Sequence, residues 1–345
     1  MELALVSLGD HITDPHTNTR ITQAQKFRLI VEHAVRGEQA GFASVMLGEH
    51  HFTDCILSVP QILLASIAER TTTLRLNTGV TLLPTQDPLR LAEDFNTVDQ
   101  LSGGRVEMTV GRGILVSTYD AVGVPAAASR EAFAEHLELL VSLLEQEHVT
   151  WTGAWRGPLE NVPVEPRSFQ QPRFPLWVGG GVGFNSVDLA ARLGLHLMLP
   201  GVFGKVAMFV PATTRFREQW DAHGHAWTPR VGTVFHAHVA RTSQEARARW
   251  APHYRRTSTS WTRSGTARAC STRMAAAASA STSTSSCGRR RCAAARPRSS
   301  IASARRATCS GLMSPGCRWT SAACPRPLSS RPSTSSALTS SPSWR

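Results

Sequence analysis

The chain has no long apolar segment, and its first 255 residues contain almost no cysteine. No run of eighteen uninterrupted apolar residues occurs, which excludes an ordinary membrane-spanning helix. Residues 1–255 contain a single cysteine, Cys55, so we expect no disulfide framework. Residues 1–8 are apolar but lack a basic leader, so we expect no secretory signal of the usual form. These features predict a cytoplasmic protein.

Acidic residues are absent from the last part of the chain. All 25 Asp and Glu lie in residues 1–255, whereas residues 256–345 contain 15 Arg, no Lys and six of the seven Cys. The net charge of +12 therefore comes from this tail, residues 256–345, alone. A strongly basic chain ordinarily indicates nucleic-acid binding. Because residues 1–255 are slightly acidic, we do not expect nucleic acid to be a partner of that part of the chain.

The tail does not have the pattern of a folded domain. Its large apolar residues are scattered, and runs such as residues 275–278 and 289–291 show neither helical nor strand periodicity. One hypothesis is a reading-frame shift near residue 255, because GC-rich codons read out of frame give Arg, Ala, Ser, Thr, Pro and Cys. The alternative is a genuine disordered basic tail that binds anionic partners. Resequencing of the source DNA would decide between them.

Short β-rich runs alternate with amphipathic segments throughout residues 1–255. This alternation predicts an α/β fold with a parallel sheet covered by helices. Seven such units in roughly 240 residues fit a (β/α)8 TIM barrel whose eighth strand and closing helices are missing or aberrant. The predicted strands are 2–8, 43–47, 74–82, 106–110, 176–178, 196–199 and 231–240. The predicted helices are 23–40, 59–69, 88–101, 130–147, 186–193 and 206–222, and 151–171 is predicted as a loop.

The loop after the fifth predicted strand is the best candidate for an anion site. Its glycines let the backbone approach a ligand closely, and the helix that follows directs unpaired N–H groups toward it. A nearby hydroxyl and two arginines would complete the site, since a guanidinium pairs bidentately with phosphate. A glycine loop serves tight packing equally well, so this motif alone leaves both interpretations open. The candidates are Gly179, Gly180, Gly181, Gly183, Ser186, Arg112 and Arg130.

Two adjacent histidines follow the second predicted strand, in the sequence GEHHF at residues 48–52. Adjacent strand-end side chains point to opposite faces, so joint metal ligation by His50 and His51 is awkward and no metal is expected. One imidazole acting as a general acid–base near neutral pH is a second interpretation. A pair of hydrogen-bonded polar residues at the barrel top is the third, and spacing alone leaves the last two open.

Taken together, these motifs resemble the bacterial luciferase-like flavin-dependent monooxygenases. Each motif alone is modest, but all of them occur in order through residues 1–255, where the resemblance ends. The family fold is a (β/α)8 barrel, which agrees with the strand count. The motifs are GEHHF at 48–52, LPT at 83–85, AED at 92–94, DQLSGGR at 99–105, GRG at 111–113, SR at 129–130 and the segment 175–194.

The resemblance implies a position for reduced FMN across the barrel mouth. The Gly79–Val80 peptide would lie under the isoalloxazine ring, where the family often has a non-prolyl cis bond. The glycine loop and the residues grouped with it above would hold the phosphate. His50 corresponds to the family's catalytic histidine, which assists proton transfer during oxygenation. Gly111 stands where luciferase itself has a cysteine, which implies more room in the pocket and argues against light emission from a long-chain aldehyde.

The implied activity is monooxygenation of a small organic substrate by reduced FMN and O2. A separate NAD(P)H-dependent flavin reductase would supply the reduced FMN, because the chain has no Rossmann-type dinucleotide fingerprint. The resemblance also implies a homodimer formed through the second and third helices. Two alternatives stay open. One is a deazaflavin-dependent oxidoreductase of the same fold, which the GEHHF motif disfavours, and the other is an inactive barrel remnant whose basic tail binds nucleic acid.

Overall fold

In a computed structural model of the protein, the described residues are 1–181 and 183–263. None of their helices combines the length and hydrophobicity that a membrane crossing requires. The strands are β1 (Ala4–Ser7), β2 (Ser44–Leu47), β3 (Arg75–Thr78), β4 (Thr81–Leu82), β5 (Met108–Gly111), β6 (His148–Trp151), β7 (Leu159–Pro163), β8 (Leu176–Gly179), β9 (His196–Leu199) and β10 (Val231–Thr233). The α-helices are α1 (Gln23–Gln39), α2 (Pro60–Ala68), α3 (Pro88–Ser102), α4 (Val116–Val122), α5 (Ser129–Glu145), α6 (Asn185–Arg192), α7 (Val210–His223) and α8 (Ser243–Arg263).

The parallel strands lie side by side in the order in which they occur along the chain. β1, β2 and β3 form one ladder, and β4, β5, β8, β9 and β10 form a second. The two ladders meet where Leu76 of β3 forms a parallel bridge with Val106, just ahead of β5. β3 and β4 are two halves of one strand, interrupted at the cis Gly79–Val80 peptide. Within residues 1–181 and 183–263, the strands occupy seven parallel positions in sequential order, as expected for seven of the eight strands of a (β/α)8 barrel.

The core lies between these strands and the helices that cover them. β2, β5 and β9 are buried along their whole length, as expected for parallel strands covered on both faces. On α5, Leu137, Leu140 and Leu144 are fully buried at spacings of three and four, which directs one face of the helix inward. Helix α3 begins at the capping carboxylate of Asp87 and ends at Gly103, which has a left-handed φ of 65°.

The two ends of the strand array are exposed. Val6 of β1 is 38% exposed and Val231 of β10 is 36% exposed, and among the described residues no backbone hydrogen bond joins β1 to β10. Side chains span the gap at its lower end, where Arg230 donates to Glu2 at 3.1 Å and to the buried Glu107 at 2.9 Å. The gap is the position of the eighth strand. That strand was predicted to be missing or aberrant, and residues 264–345 lie outside the described part of the chain.

The observed elements differ from the predicted ones in five ways. The third predicted strand is split into β3 and β4, and the predicted strand 231–240 ends at Thr233. Residues 151–171 were predicted as a loop, but they contribute to the antiparallel hairpin β6–β7. Helix α4 was missed because its seven residues are mostly polar or β-branched. Helix α8 was also missed, and it continues past the predicted boundary at residue 255 as far as Arg263.

The helices predicted to form a dimer each carry an exposed apolar side chain. Ile62 on α2 is 70% exposed, and Leu101 on α3 is 54% exposed. Exposed apolar side chains on neighbouring helices are compatible with an interface, although single ones are common on any protein surface. The homodimer stays a prediction.

Candidate active site at the barrel mouth

Three glycines enclose the cis Gly79–Val80 peptide at the carboxyl ends of the strands. Gly48 follows β2, Gly111 ends β5 and Gly179 ends β8. A Cβ atom added at Gly48 would lie 2.7 Å from the Gly79 carbonyl oxygen, and one at Gly111 would lie 2.7 Å from Val80 Cγ2. One at Gly179 would lie 3.1 Å from Val80 Cγ1. Glycine at these positions, called here the glycine floor, therefore allows the peptide to sit between the three strand ends.

The expected extra room beside Gly111 is filled by Val80. Three carbon atoms of the Val80 side chain lie 2.7, 3.2 and 3.3 Å from the position of a Cβ at Gly111. The expectation of more pocket space at Gly111 is therefore wrong at the Cβ position, because the Val80 side chain already occupies that space. Gly111 serves close packing of the strand end against Val80.

His50 lies next to the glycine floor with a defined tautomer. Its backbone N–H donates to the Leu57 carbonyl at 2.8 Å, and its Nδ1 lies 3.3 Å from the Gly48 carbonyl oxygen. Because a carbonyl only accepts, Nδ1 carries the proton and Nε2 is the acceptor of the neutral ring. Burial lowers the pKa of His50, while the Gly48 carbonyl and the charges of Asp10 and Glu49 oppose that shift. The imidazole is therefore neutral at pH 7 and can accept a proton at Nε2.

Glu49 joins the end of β2 to the start of the next loop. Its side chain is buried, and one carboxylate oxygen accepts from the Leu82 N–H at 2.8 Å and from Gln86 Nε2 at 2.7 Å. The other oxygen lies 2.7 Å from His51 Nε2. The two adjacent histidines thus have separate roles, since His51 supports Glu49 while His50 faces the glycine floor. Sequence reasoning missed Glu49 and Gly48, although both belong to the GEHHF motif.

The first group of predicted phosphate ligands follows β5. Arg112 donates from Nη1 to the Ser129 hydroxyl at 3.2 Å, and its backbone carbonyl accepts from the Tyr119 hydroxyl. Arg130 is the next residue after Ser129, in the first turn of α5, and its side chain is exposed. Ser129 therefore accepts a hydrogen bond from Arg112 and immediately precedes Arg130 in the chain.

The second group follows β8. Gly180 is buried and donates its N–H to the Met198 carbonyl at 2.9 Å, whereas Gly181 has no other atom within 4 Å of an added Cβ. Gly183 is exposed, and Ser186 lies in the first turn of α6, whose N-terminus has no side-chain cap. β5 and β8 are paired neighbours, so the two groups lie at adjacent strand ends. The Gly111 Cα atom lies 3.8 Å from the position that a Cβ atom at Gly179 would take.

Cys55 is not part of this chemistry. It is buried, and burial together with the charge of Asp10 raises the pKa of its thiol to about 12. A thiol with this pKa is protonated at neutral pH and is a poor nucleophile.

Comparison with known proteins connects this geometry to a family. The sequence model of the luciferase-like monooxygenases matches residues 1–308, and this match extends past residue 255. The chain is 33% identical over 167 residues to 4-hydroxyprotoasukamycin monooxygenase from Streptomyces nodosus subsp. asukaensis, covering 48% of this chain and 45% of that protein. The chain spans about half the length, or less, of the first curated relatives that it matches.

Solved structures share the fold. The monooxygenase RslO1 from Streptomyces bottropensis superposes with a TM-score of 0.69 at 25% identity, covering 78% of this chain and 83% of that one. The FMN complex of the oxygenating constituent of 3,6-diketocamphane monooxygenase from Pseudomonas putida has a TM-score of 0.64 at 20% identity, with 78% of each chain covered. An F420-dependent secondary alcohol dehydrogenase has a TM-score of 0.53 at 20% identity, covering 67% of this chain and 68% of that one. The chain belongs to the luciferase-like monooxygenase family.

Proposed function

We propose that this protein is the oxygenating component of a two-component system. It binds reduced FMN across the barrel mouth and oxygenates a small organic substrate with O2. The glycine floor carries this proposal, because three neighbouring strand ends without side chains let the half-buried Gly79–Val80 peptide lie between them at the barrel mouth, where a planar ring can pack against it. A structural neighbour that holds FMN on the same fold supports the choice of cofactor.

The remaining residues fit the phosphate end of FMN. Gly181 and the uncapped N-terminus of α6 offer backbone N–H groups and a partial positive charge to an anion. Arg112 and Arg130, one strand away, would add guanidinium groups whose fork geometry matches a phosphate. Ser186 would add a hydroxyl from the first turn of α6. When bound, reduced FMN supplies the electrons and the activation of O2.

The protein's own part in the reaction is to hold a proton and to keep the site fixed. His50 is neutral at pH 7, so its Nε2 can accept a proton from the reacting groups and return it. Glu49, through its bonds to Leu82, Gln86 and His51, holds the end of β2 against the loop that begins at β4. This support keeps the His50 backbone in place beside the glycine floor.

A separate NAD(P)H-dependent flavin reductase would deliver the reduced FMN. The structural neighbour from Pseudomonas putida is described as an oxygenating constituent, that is, as one part of a larger system.

Titration with flavins tests the proposal. Wild type, Arg112→Gln and Arg36→Gln are titrated anaerobically with reduced FMN and with reduced riboflavin, which lacks the phosphate. A charge-assisted hydrogen bond contributes ~1.5–3 kcal/mol, so Arg112→Gln is expected to weaken FMN binding at least tenfold and to leave riboflavin binding unchanged. Arg36, which pairs with Glu32 on the exposed surface of α1, is the matched control and should change neither affinity.

Three outcomes would contradict the proposal. Equal weakening of FMN and riboflavin by Arg112→Gln would show that Arg112 does not hold the phosphate. Failure of the wild type to bind either flavin would refute FMN as the cofactor. Tight binding of reduced deazaflavin F420 in place of FMN would favour the deazaflavin alternative.

A further inference from the structure

A groove of about 800 Å³ opens beside the barrel mouth, at the carboxyl ends of β1 and β10. Its walls come from the segment after β1, the start of α1, the segment after β10, and α8. β1 and β10 are the two open ends of the strand array, so the groove lies above the position of the eighth strand. Helix α8 is held over it by the bond from His16 Nε2 to the Arg249 carbonyl, at 3.2 Å.

Aromatic and imidazole rings from three separate segments line this groove. The rings of His16 and His253 lie 5.1 Å apart between centroids. Trp250 on α8 lies 4.9 Å from Tyr254 and 5.8 Å from His236, which follows β10. Ring separations of this size are typical of stacked and edge-to-face aromatic contacts. The walls therefore offer ring faces and edges to a planar ligand.

The charged residues of the groove do not select an ion. Asp10 and Asp14 carry negative charge on the β1 side, while Lys26 and Arg249 carry positive charge on the two helices. The opposite charges offset one another over the groove. A neutral ligand is favoured over an anion or a cation of the same size.

His11 offers a hydrogen-bond acceptor in the groove wall. The residue is 7% exposed, and its Nε2 lies 2.6 Å from the Ile21 carbonyl oxygen, so Nε2 carries the proton. Nδ1 is then the acceptor of the neutral ring, and it is buried without a partner among the described residues. A buried polar atom without a partner is unfavourable, and a donor on a bound ligand would satisfy it.

The groove adjoins the proposed active site through Asp10. This residue lines the groove, and its carboxylate accepts from the Cys55 thiol at 3.6 Å. The negative charge of Asp10 also acts on His50. A ligand in the groove would therefore lie on the His50 side of the barrel mouth.

We propose that the groove binds the organic substrate and that this substrate is a neutral, planar aromatic molecule with a hydroxyl or N–H donor. The rings of His16, His236, Trp250 and Tyr254 contact its flat surface, and His11 Nδ1 accepts its hydrogen bond. Its role as the substrate rests on the proposed monooxygenase function, whereas binding itself does not.

Binding of three probes to the full chain, without flavin, tests the inference. The probes are 2-naphthol, 2-methoxynaphthalene, which has the same rings but no donor, and 1-decanol, which has a donor but no rings. Isothermal titration should show 2-naphthol binding at least fivefold more tightly than either of the others. His11→Phe keeps a planar ring but removes the Nδ1 acceptor, so it should abolish the preference for 2-naphthol over 2-methoxynaphthalene.

A second variant protects the test against misfolding at His11. Trp250→Leu alters the surface of α8 and should weaken both naphthalene probes at least fivefold. Trp155→Leu, in the loop between β6 and β7, removes an exposed tryptophan away from the groove and should change neither. Equal binding of 1-decanol and 2-naphthol, or equal effects of the two tryptophan variants, would overturn the inference. Because no flavin is present, these results are independent of the FMN titration.

Discussion

Adding one methyl group at Gly111 tests the packing of the proposed flavin site. In Gly111→Ala the new Cβ would lie 2.7 Å from Val80 Cγ2. Ordinary van der Waals contacts of a Cβ atom begin at 3.4 Å. Val80 is β-branched and has few alternative rotamers, so it must leave its rotamer or shift its backbone. Overpacking of this kind costs ~1–3 kcal/mol of the free energy of unfolding. For a domain of this size that is roughly 2–4 °C in Tm for each kcal/mol.

Equilibrium unfolding in urea measures this effect, with Val80→Ala and the double variant included. Val80→Ala removes the two methyl groups that the new Cβ would meet, so the double variant should be more stable than the sum of the two single changes predicts. We expect a coupling free energy of ~1 kcal/mol or more. Gly181→Ala is the matched control, since an added Cβ there meets no atom of the described residues, beyond its chain neighbours, within 4 Å.

The result that would refute this reasoning is specific. If Gly111→Ala has the same free energy of unfolding as Gly181→Ala and shows no coupling to Val80, the contact between the strand end and Val80 does not constrain residue 111. The glycines would then not be required for packing around Val80, and the glycine floor would no longer support the binding of a planar cofactor.

Two further predictions concern buried titratable groups. Burial, with the charges of Arg230 and Arg173, lowers the pKa of His196 from 6.5 to about 4, so between these pH values the unfolded chain binds a proton that the folded chain does not. The free energy of unfolding should therefore fall by up to ~3 kcal/mol as pH drops from 6.5 to 4, and His196→Phe should flatten this slope in urea titrations at several pH values. Glu49→Gln should lower the free energy of unfolding by ~2 kcal/mol at pH 7, because an amide cannot replace both carboxylate oxygens toward its three donors. A loss below ~0.5 kcal/mol in the same urea assay would show that these bonds do not support the β2 end.

The sequence predicted the strands best where they are buried on both faces. β2, β5 and β9 form short apolar runs that stand out from their surroundings, and the structure confirms all three. The split between β3 and β4 was not predictable from the local pattern, although the family resemblance implied the cis Gly79–Val80 bond at which it occurs. It depends on glycines of three other strand ends, and their proximity to Val80 exists only in the folded chain.

The candidate site shows the same division between local and long-range information. His50 was identified because a motif marks it, and its half-buried imidazole lies beside the Gly48 carbonyl. The groove was not visible in the sequence, since His11, His236 and Trp250 come from three distant segments. Nothing in the local pattern of any one segment indicates that their rings meet.

The open end of the strand array determines which part of the molecule should come apart first. In a closed barrel every strand has two partners, but among the described strands β10 pairs with β9 alone and does so over three residues. Native-state hydrogen exchange should therefore be fastest in β10 and α8 and slowest in β2, β5 and β9. Opening of this end would remove the α8 wall of the groove while leaving the glycine floor in place. A ligand in the groove would stabilise β10 and α8 against this opening, whereas a flavin on the glycine floor would not.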